Sequence, residues 1–517
     1  MGAGSRSRPV QVRAVAIAFA MALVSGACSD DEPTTAGPGT TQPAGPSGSV
    51  TAALATDVRS LNPIMDGSAR PILNSVFDQL VIIQADGSIA PSLATAWESN
   101  AGATQWTFTT RTDAKFHDGT PVTVDDIVFS YSQILKSPTS NQLGSVNMVD
   151  TMEKVAADKV KFNLKQPFSY FPRQTSLTSI VPMAKYDEVG FQNAPIGSGP
   201  YRVVSWSSGQ PVVLEAFADY WGVKPAFQTV TMVPAPQPDT RLTGLQATAS
   251  NSFALSPLTS DQVAVAEGGD GLSVVSRPSN FVSYLSFNVT KAPYNDLKLR
   301  QAINQAIDRE AITRTIYRGK AKPIGQMVAS VTFGYDPAIG PAKYDVAAAR
   351  RLLSESSYNG ETLVFEYPTD GELQSSNDLA QAIQGYLQAV GIKVDLQGRA
   401  STAFIPAVQR KQMQGMFMFS WRPSLMDAAL VLNRSFRTAD WGYAENPELD
   451  RLVAAQSSES DPAKRAALIS QIWKLNEAQV YFAPIYTDEY HYGLRSRVVA
   501  YTPRADGYII PHEIRKP

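Results

Sequence analysis

Trp106-Thr-Phe-Thr-Thr-Arg-Thr-Asp-Ala-Lys-Phe-His-Asp-Gly-Thr-Pro-Val-Thr-Val-Asp-Asp-Ile-Val-Phe-Ser-Tyr131 holds a strand, a turn and a helix start in direct succession. Trp106, Phe108 and Thr110 alternate, so one strand face is apolar. His117-Asp118-Gly119-Thr120-Pro121 predicts a turn, with Gly free to take positive φ and Pro setting the exit. Thr123 is a helix cap, and Asp125 and Asp126 place negative charge in the first turn, where the helix dipole favours it. Ile127, Val128 and Tyr131 then form a helical apolar face.

The rest of the chain must support this ordered unit. It has 517 residues, of which 44% are apolar and 18% charged, enough for two to four domains with cores of their own. The 35 Pro and 34 Gly call for many loops. Lys and Arg number 45 against 47 Asp and Glu, a net charge of −2 that leaves no electrostatic footprint for nucleic acid. One cysteine excludes an internal disulfide, and three scattered histidines give no zinc-site spacing. No Gly-x-Ser-x-Gly elbow, phosphate-cradling loop or His-Glu-x-x-His is present. His117, His491 and His512 are read as structural, because a catalytic histidine needs a partner placed for proton transfer.

Arg6, Arg8 and Arg13 precede the apolar run 14–24, which is too short to span a bilayer unaided. Ser25-Gly26-Ala27-Cys28 follows, small residues before a cysteine. Residues 28–49 are acidic, then rich in Pro, Thr, Gly and Ala, and predict a flexible tether. Folding is expected to begin at residue 50. Val50-Thr-Ala-Ala-Leu54 is a strand, Leu61-Asn-Pro-Ile-Met-Asp-Gly-Ser68 a loop and 72–80 an amphipathic helix. Lys159-Val-Lys-Phe-Asn-Leu164 alternates as a strand. Leu299, Ala302, Ile303, Ala306 and Ile307 form one stripe of a helix capped by Asp296. Asp345 caps another helix. A helix carrying Leu379, Ile383, Leu387 and Val390 stops at Gly391 before the strand Ile392-Lys-Val-Asp-Leu396, an α/β unit. Asp461-Pro462 opens one more.

Lys115-Phe-His-Asp-Gly-Thr-Pro-Val-Thr123 with Asp125-Asp-Ile-Val-Phe-Ser130 resembles the signature of family 5 extracellular solute-binding proteins, the peptide-, nickel- and opine-binding lipoproteins of ABC importers. Pro195-Ile-Gly-Ser-Gly-Pro-Tyr201, Ala218-Asp-Tyr-Trp-Gly222 and Arg300-Gln-Ala-Ile-Asn-Gln-Ala-Ile-Asp-Arg-Glu310 are similar to further family landmarks. The resemblance implies an α/β, two-lobed periplasmic-binding-protein-like fold (type II, large peptide-binder type). Lobe 1 would take 50–87 and 196–279 with an extra subdomain at 88–195. Lobe 2 would take 280–485, and 486–517 would return to lobe 1. Residues 1–27 would be a lipoprotein signal peptide and Cys28 the diacylated residue, with Ser25 standing where the lipobox more often has Leu. Two acyl chains, at ~0.8 kcal/mol per buried CH₂, anchor stably where one does not.

The implied function is capture of a small ligand, short peptides first, between two lobes and its delivery to ABC permease subunits, with no covalent chemistry and no cofactor. The protein would be a monomer held by lipid at the extracytoplasmic, periplasmic face of the membrane. A nickel chelate, an opine, an oligosaccharide or a receptor role is the alternative. In peptide-binding relatives the cleft carries Trp-x-x-Asp-x-x-Asp-Pro, whose first Asp holds the peptide ammonium. Here Trp421 and Asp427 match and Ser424 stands at the anchoring position. Serine cannot neutralise a buried ammonium. Either Asp66 or Asp427 takes that role, or the ligand lacks a free amino terminus. Arg422 is a candidate for a ligand carboxylate. Asp66, Gly67 and Ser68 are further candidate contacts.

Overall fold

The computed structural model describes residues 45–517, apart from 249–251, 371–372, 374 and 439. The expected signal segment, Cys28 and most of the tether lie outside the described residues.

The opening stretch folds as its local chemistry dictates. Gln105–Thr110 is a strand with Trp106, Phe108 and Thr110 buried. Asp118 accepts from the Thr120 amide at 3.0 Å, and Gly119 sits at φ +86°. Thr123 and Asp126 form a reciprocal capping box on the helix Val124–Lys136. This helix packs on a four-stranded antiparallel sheet in the order Ala94–Ser99, Gln105–Thr110, Lys159–Leu164, Val149–Ala156. Phe108, Phe162, Phe171 and Tyr131 meet there edge to face.

His117 ties this unit to the next motif. Its backbone amide donates to Gly197 O at 2.8 Å, and its Nδ1 accepts from Gly197 N at 3.2 Å. Nε2 lies 3.1 Å from the Gly199 carbonyl and therefore carries the proton. Gly197 and Gly199 press against the end of the helix Arg70–Val76; a Cβ on Gly197 would lie 1.8 Å from Val76 O. Gly199 N donates to that same oxygen at 3.0 Å. The helix expected over 72–80 consequently stops at Val76, its last carbonyl taken by the glycine turn. The Tyr220-Trp221 pair is packing: both donate to the buried Asp78, whose carboxyl burial pushes up to about 6.

Among the described residues the central sheet has 12 strands. The strand Phe482–Arg495 runs through its middle. Its first part pairs with Val282–Phe287, beyond which lie Met416–Trp421, Leu363–Pro368 and Val394–Arg399. Its second part pairs with Leu255–Leu258 and Leu272–Pro278, beyond which lie Ser49–Leu54, Thr229–Pro234, Val212–Ala216 and Tyr201–Ser205. Buried apolar side chains divide in the same way. One large cluster draws mainly on positions from Val50 to Leu255 and from Tyr492 to Ile514; two others draw on positions between Phe281 and Tyr486.

Helices capped as expected at Asp296, Asp345 and Asp461, and at Asp308 besides, cover the second group. Asp296, Asp308, Asp345 and Asp461 each accept a backbone amide at a helix start. Ser376–Val390 ends on Gly391 at φ +101° and leads to Val394–Arg399. Arg300 and Arg309 are buried, and their guanidinium groups donate to the carbonyls of Gln479, Val480 and Pro484, fastening the approach to Phe482–Arg495. Lys516 Nζ hydrogen-bonds Ser47 Oγ, two residues before the strand Ser49–Leu54.

Burial holds His117 neutral, its pKa lowered to about 4. The unfolded chain takes up a proton near pH 6.5 and the folded chain resists it. The His117 contribution is therefore fully present above pH 6.5 and is lost as pH falls from there to about 4. Urea unfolding between pH 7.5 and 4 is expected to show a falling midpoint, and His117→Gln a shallower fall; identical slopes would refute the neutral assignment.

Candidate functional site

A cavity of about 420 Å³ opens where the long strand passes from one group of strands to the other. Its walls come from both apolar groups. Ala53 to Thr56 and Pro257 to Ser260 stand at the carboxyl ends of Ser49–Leu54 and Leu255–Leu258, which are parallel. That end of parallel strands is where α/β sheets leave room for ligands, because the loops diverge there. Tyr317, Lys320 and Arg422 face them from the second group. Residues 486–492 cross the gap, and 506–509 close the remaining side.

The charges at this cavity are bonded to neighbouring groups of the chain. The Arg422 guanidinium hydrogen-bonds Tyr490 Oη, lies 4.0 Å from Asp488, and sits 5.0 Å from the Phe281 ring. Asp488 also accepts from Ser279 Oγ, and Glu489 is 3.4 Å from Lys322. Asp506 is held by Arg504 at 2.7 Å. His491 bonds Ser276 at 2.7 Å and Ser260 at 3.3 Å, with burial lowering its pKa. Ser75 lies 2.9 Å from His512, but that serine is fully buried, and burial together with Arg504 and Arg515 brings the imidazole down to about 3, too weak for a general base at neutral pH. Among the described residues no cluster of His, Cys, Asp and Glu suits a metal ion.

The residues singled out in the sequence fall in different places. Ser68 and Arg422 line the cavity. Ser424 lies in a recess of about 70 Å³ whose walls share Asp506 and Tyr508 with the cavity. Asp66 turns back on its own loop, accepting from Ser68 N at 2.7 Å and Asn141 Nδ2 at 2.9 Å. Gly67 lies under Gln142, where a Cβ would stand 1.6 Å from the end of that side chain, Nε2. Trp421 ends the strand Met416–Trp421, half-buried, its ring stacked at 5.9 Å on Trp441. Neither Asp66, Gly67 nor Trp421 lines the cavity.

Asp427, expected to be free for a ligand ammonium, is instead 1% exposed and already paired. Arg465 grips both of its carboxylate oxygens, at 2.5 and 2.8 Å, and Arg173 Nε is 3.5 Å away. Arg173 also donates to the carbonyls of Gly87 and Leu425. Nearby, Ser169 bonds the Gln456 and Ser457 carbonyls, and Asn433 donates to Tyr170 Oη at 3.0 Å. Asp427 is thus the centre of a buried joint between segment 169–173 and segment 425–465. Sequence reasoning also missed the small residues 53–56 and 257–260 and Tyr508. They are ordinary in type and far apart in the chain. The one local signal was the tyrosine-rich alternation Tyr486-Thr-Asp-Glu-Tyr-His-Tyr492.

The model of bacterial extracellular solute-binding proteins, family 5, middle part, matches residues 88–443. The chain is 29% identical over 441 residues to the glutathione-binding protein GsiB of Pectobacterium atrosepticum, covering 80% of this chain and 84% of that protein. Its fold superposes on HbpA2 from Haemophilus parasuis with a TM-score of 0.81 at 21% identity, over 91% of this chain and 100% of that one. It superposes on the periplasmic murein tripeptide binding protein MppA, in its unliganded open form, with a TM-score of 0.79 at 22% identity, over 91% and 97%. At these identities the two superpositions establish the fold, the α/β fold of large periplasmic binding proteins.

The Asp427 joint has a measurable signature. Burial works to raise the carboxyl pKa, and Arg465 and Arg173 overcome it, leaving it below its ordinary value near 3.8. Its stabilisation is present above about pH 4 and lost as pH falls further, through the folded pKa. Asp427→Asn strands two buried guanidinium groups and is expected to cost about 3–5 kcal/mol at pH 7. Urea unfolding checks this; a cost under about 1 kcal/mol would show the triad to be solvated.

Proposed function

The chain belongs to the bacterial extracellular solute-binding proteins of family 5, and we propose that it takes short peptides or peptide-like ligands into the cavity crossed by residues 486–492. It is a substrate-binding protein of the ABC-importer class, extracytoplasmic and not an enzyme. Among the described residues no helix is long and apolar enough to cross a membrane. Attachment is assigned to Cys28, whose diacylated sulfur would hold the protein at the membrane through residues 28–49, beside the permease that receives the ligand.

The observation that carries this reading is a cavity whose walls belong to two separate cores joined by continuous strand. The two cores are read as lobes dividing near residues 280 and 486, with 88–195 as a subdomain of the first. A ligand that touches both walls binds the closed arrangement better than the open one, and only that difference can shift the population. Ser68 from one side and Arg422 from the other are assigned as ligand contacts, with Ser424 in the adjoining recess. The glutathione-binding relative supports a peptide-like ligand.

Native mass spectrometry of the purified soluble protein tests the assignment, with a co-purified peptide-sized molecule as the expected result. The same molecule, added back, is expected to raise the thermal midpoint of the wild type and of Trp421→Ala but not of Tyr508→Ala, since only Tyr508 lines the cavity. Loss in Trp421→Ala alone would move the site to the Trp421–Trp441 stack. A bound metal chelate or oligosaccharide would replace the peptide reading.

A further inference from the structure

Arg70 opens the short helix Arg70–Val76 and lines the recess that adjoins the main cavity. Arg70 is half-buried, and its bonding contrasts with that of the buried Arg300 and Arg309. Arg300 and Arg309 each use Nε and both terminal nitrogens on oxygens of the chain. Arg70 does not. Nη1 donates to the Leu177 carbonyl at 2.7 Å, Nη2 reaches Gln142 Oε1 only at 3.4 Å, and Nε has no acceptor among the described residues. No carboxylate lies within ion-pair distance of it among the described residues. The acids of the recess, Asp506 and Glu513, are bound by Arg504 at 2.7 and 2.6 Å. Burial disfavours the charged form of Arg70, so the fold pays to keep a cation there.

The surroundings fit one kind of guest. The recess, about 70 Å³, exceeds the volume one water requires and suits a planar two-oxygen group. Ser424 also lines it, with a hydroxyl able to donate. Asn74 lines it with a buried amide oxygen that has no hydrogen-bond partner. Tyr508 forms the passage to the main cavity.

We infer that the recess of Arg70, Ser424 and Asn74 is a carboxylate subsite, so that the ligand in the main cavity is held by a terminal or side-chain carboxylate. The inference rests on the binding function proposed above and adds the charge of the ligand. Guanidinium and carboxylate match as two parallel N–H···O bonds, and Nε with Nη2 is the edge left for them. Because Arg70 comes from the part of the chain before residue 280 and Ser424 from the part after it, an anion bonded to both ties the two parts together and favours closure.

Calorimetric titration with trialanine and its C-terminal amide tests this on the wild-type protein. The free acid is expected to bind roughly ten- to a hundredfold more tightly, the range of a charge-assisted hydrogen bond in a buried site. Arg70→Gln is expected to erase the preference, and Arg70→Lys to keep part of it, with thermal unfolding confirming that each variant folds. Equal binding of acid and amide by the wild type overturns the subsite and leaves the peptide-binding function standing. A preference unchanged in folded Arg70→Gln does the same. Binding of neither peptide at millimolar concentration overturns the peptide reading and the subsite together.

Discussion

Fourteen consecutive residues, Phe482–Arg495, hydrogen-bond to strands on both sides of the cavity, and the remaining architecture hangs from that run. Backbone bonds to Val282–Phe287 hold one end and bonds to Leu255–Leu258 and Leu272–Pro278 hold the other. Both ends are buried, while Thr487 to Tyr490 between them are half-exposed. A strand that stays paired across a gap supplies a floor that is ordered yet accessible. Its unburied middle carries Asp488, Glu489 and Tyr490, the polar groups that border the cavity. Buried Arg309 donates from Nε to the Pro484 carbonyl at 2.7 Å and so fastens the start of this strand to the helix Arg309–Thr315.

Local chemistry made much of the frame legible. The strand, Asp-Gly turn and capping box of 106–131 each depend on residues within a few positions of one another, and they form as read. The caps at Asp296, Asp345 and Asp461 are local for the same reason. The helix end at Val76 was misjudged because its terminator is Gly199, far along the chain. Asp427 shows the limit most clearly. A motif reading presents it as an available carboxylate, yet its charge is consumed by Arg465 and Arg173, which no spacing rule joins to it. The cavity walls were illegible because Ala, Thr, Pro and Leu at strand ends acquire meaning only from their neighbours in space.

Arginine does three kinds of work in this molecule. Arg300 and Arg309 serve as multi-pronged clips for backbone carbonyls. Arg465 and Arg504 neutralise buried acids. Arg422 leans over Phe281 and Tyr490 beside Asp488, part stacking and part ion pair. Lysine would serve poorly in any of these, since each uses the planar fork rather than a point charge.

The contact between Lys516 and Ser47 has a mechanical meaning. Two residues further on begins Ser49–Leu54, which pairs in register with Thr229–Pro234 over its whole length. A pull applied along that strand would load those ladder bonds in shear, simultaneously, instead of peeling them one by one. Anchored from that end and dragged by flow or by a docking partner, the body would resist unravelling at the very point where the load arrives.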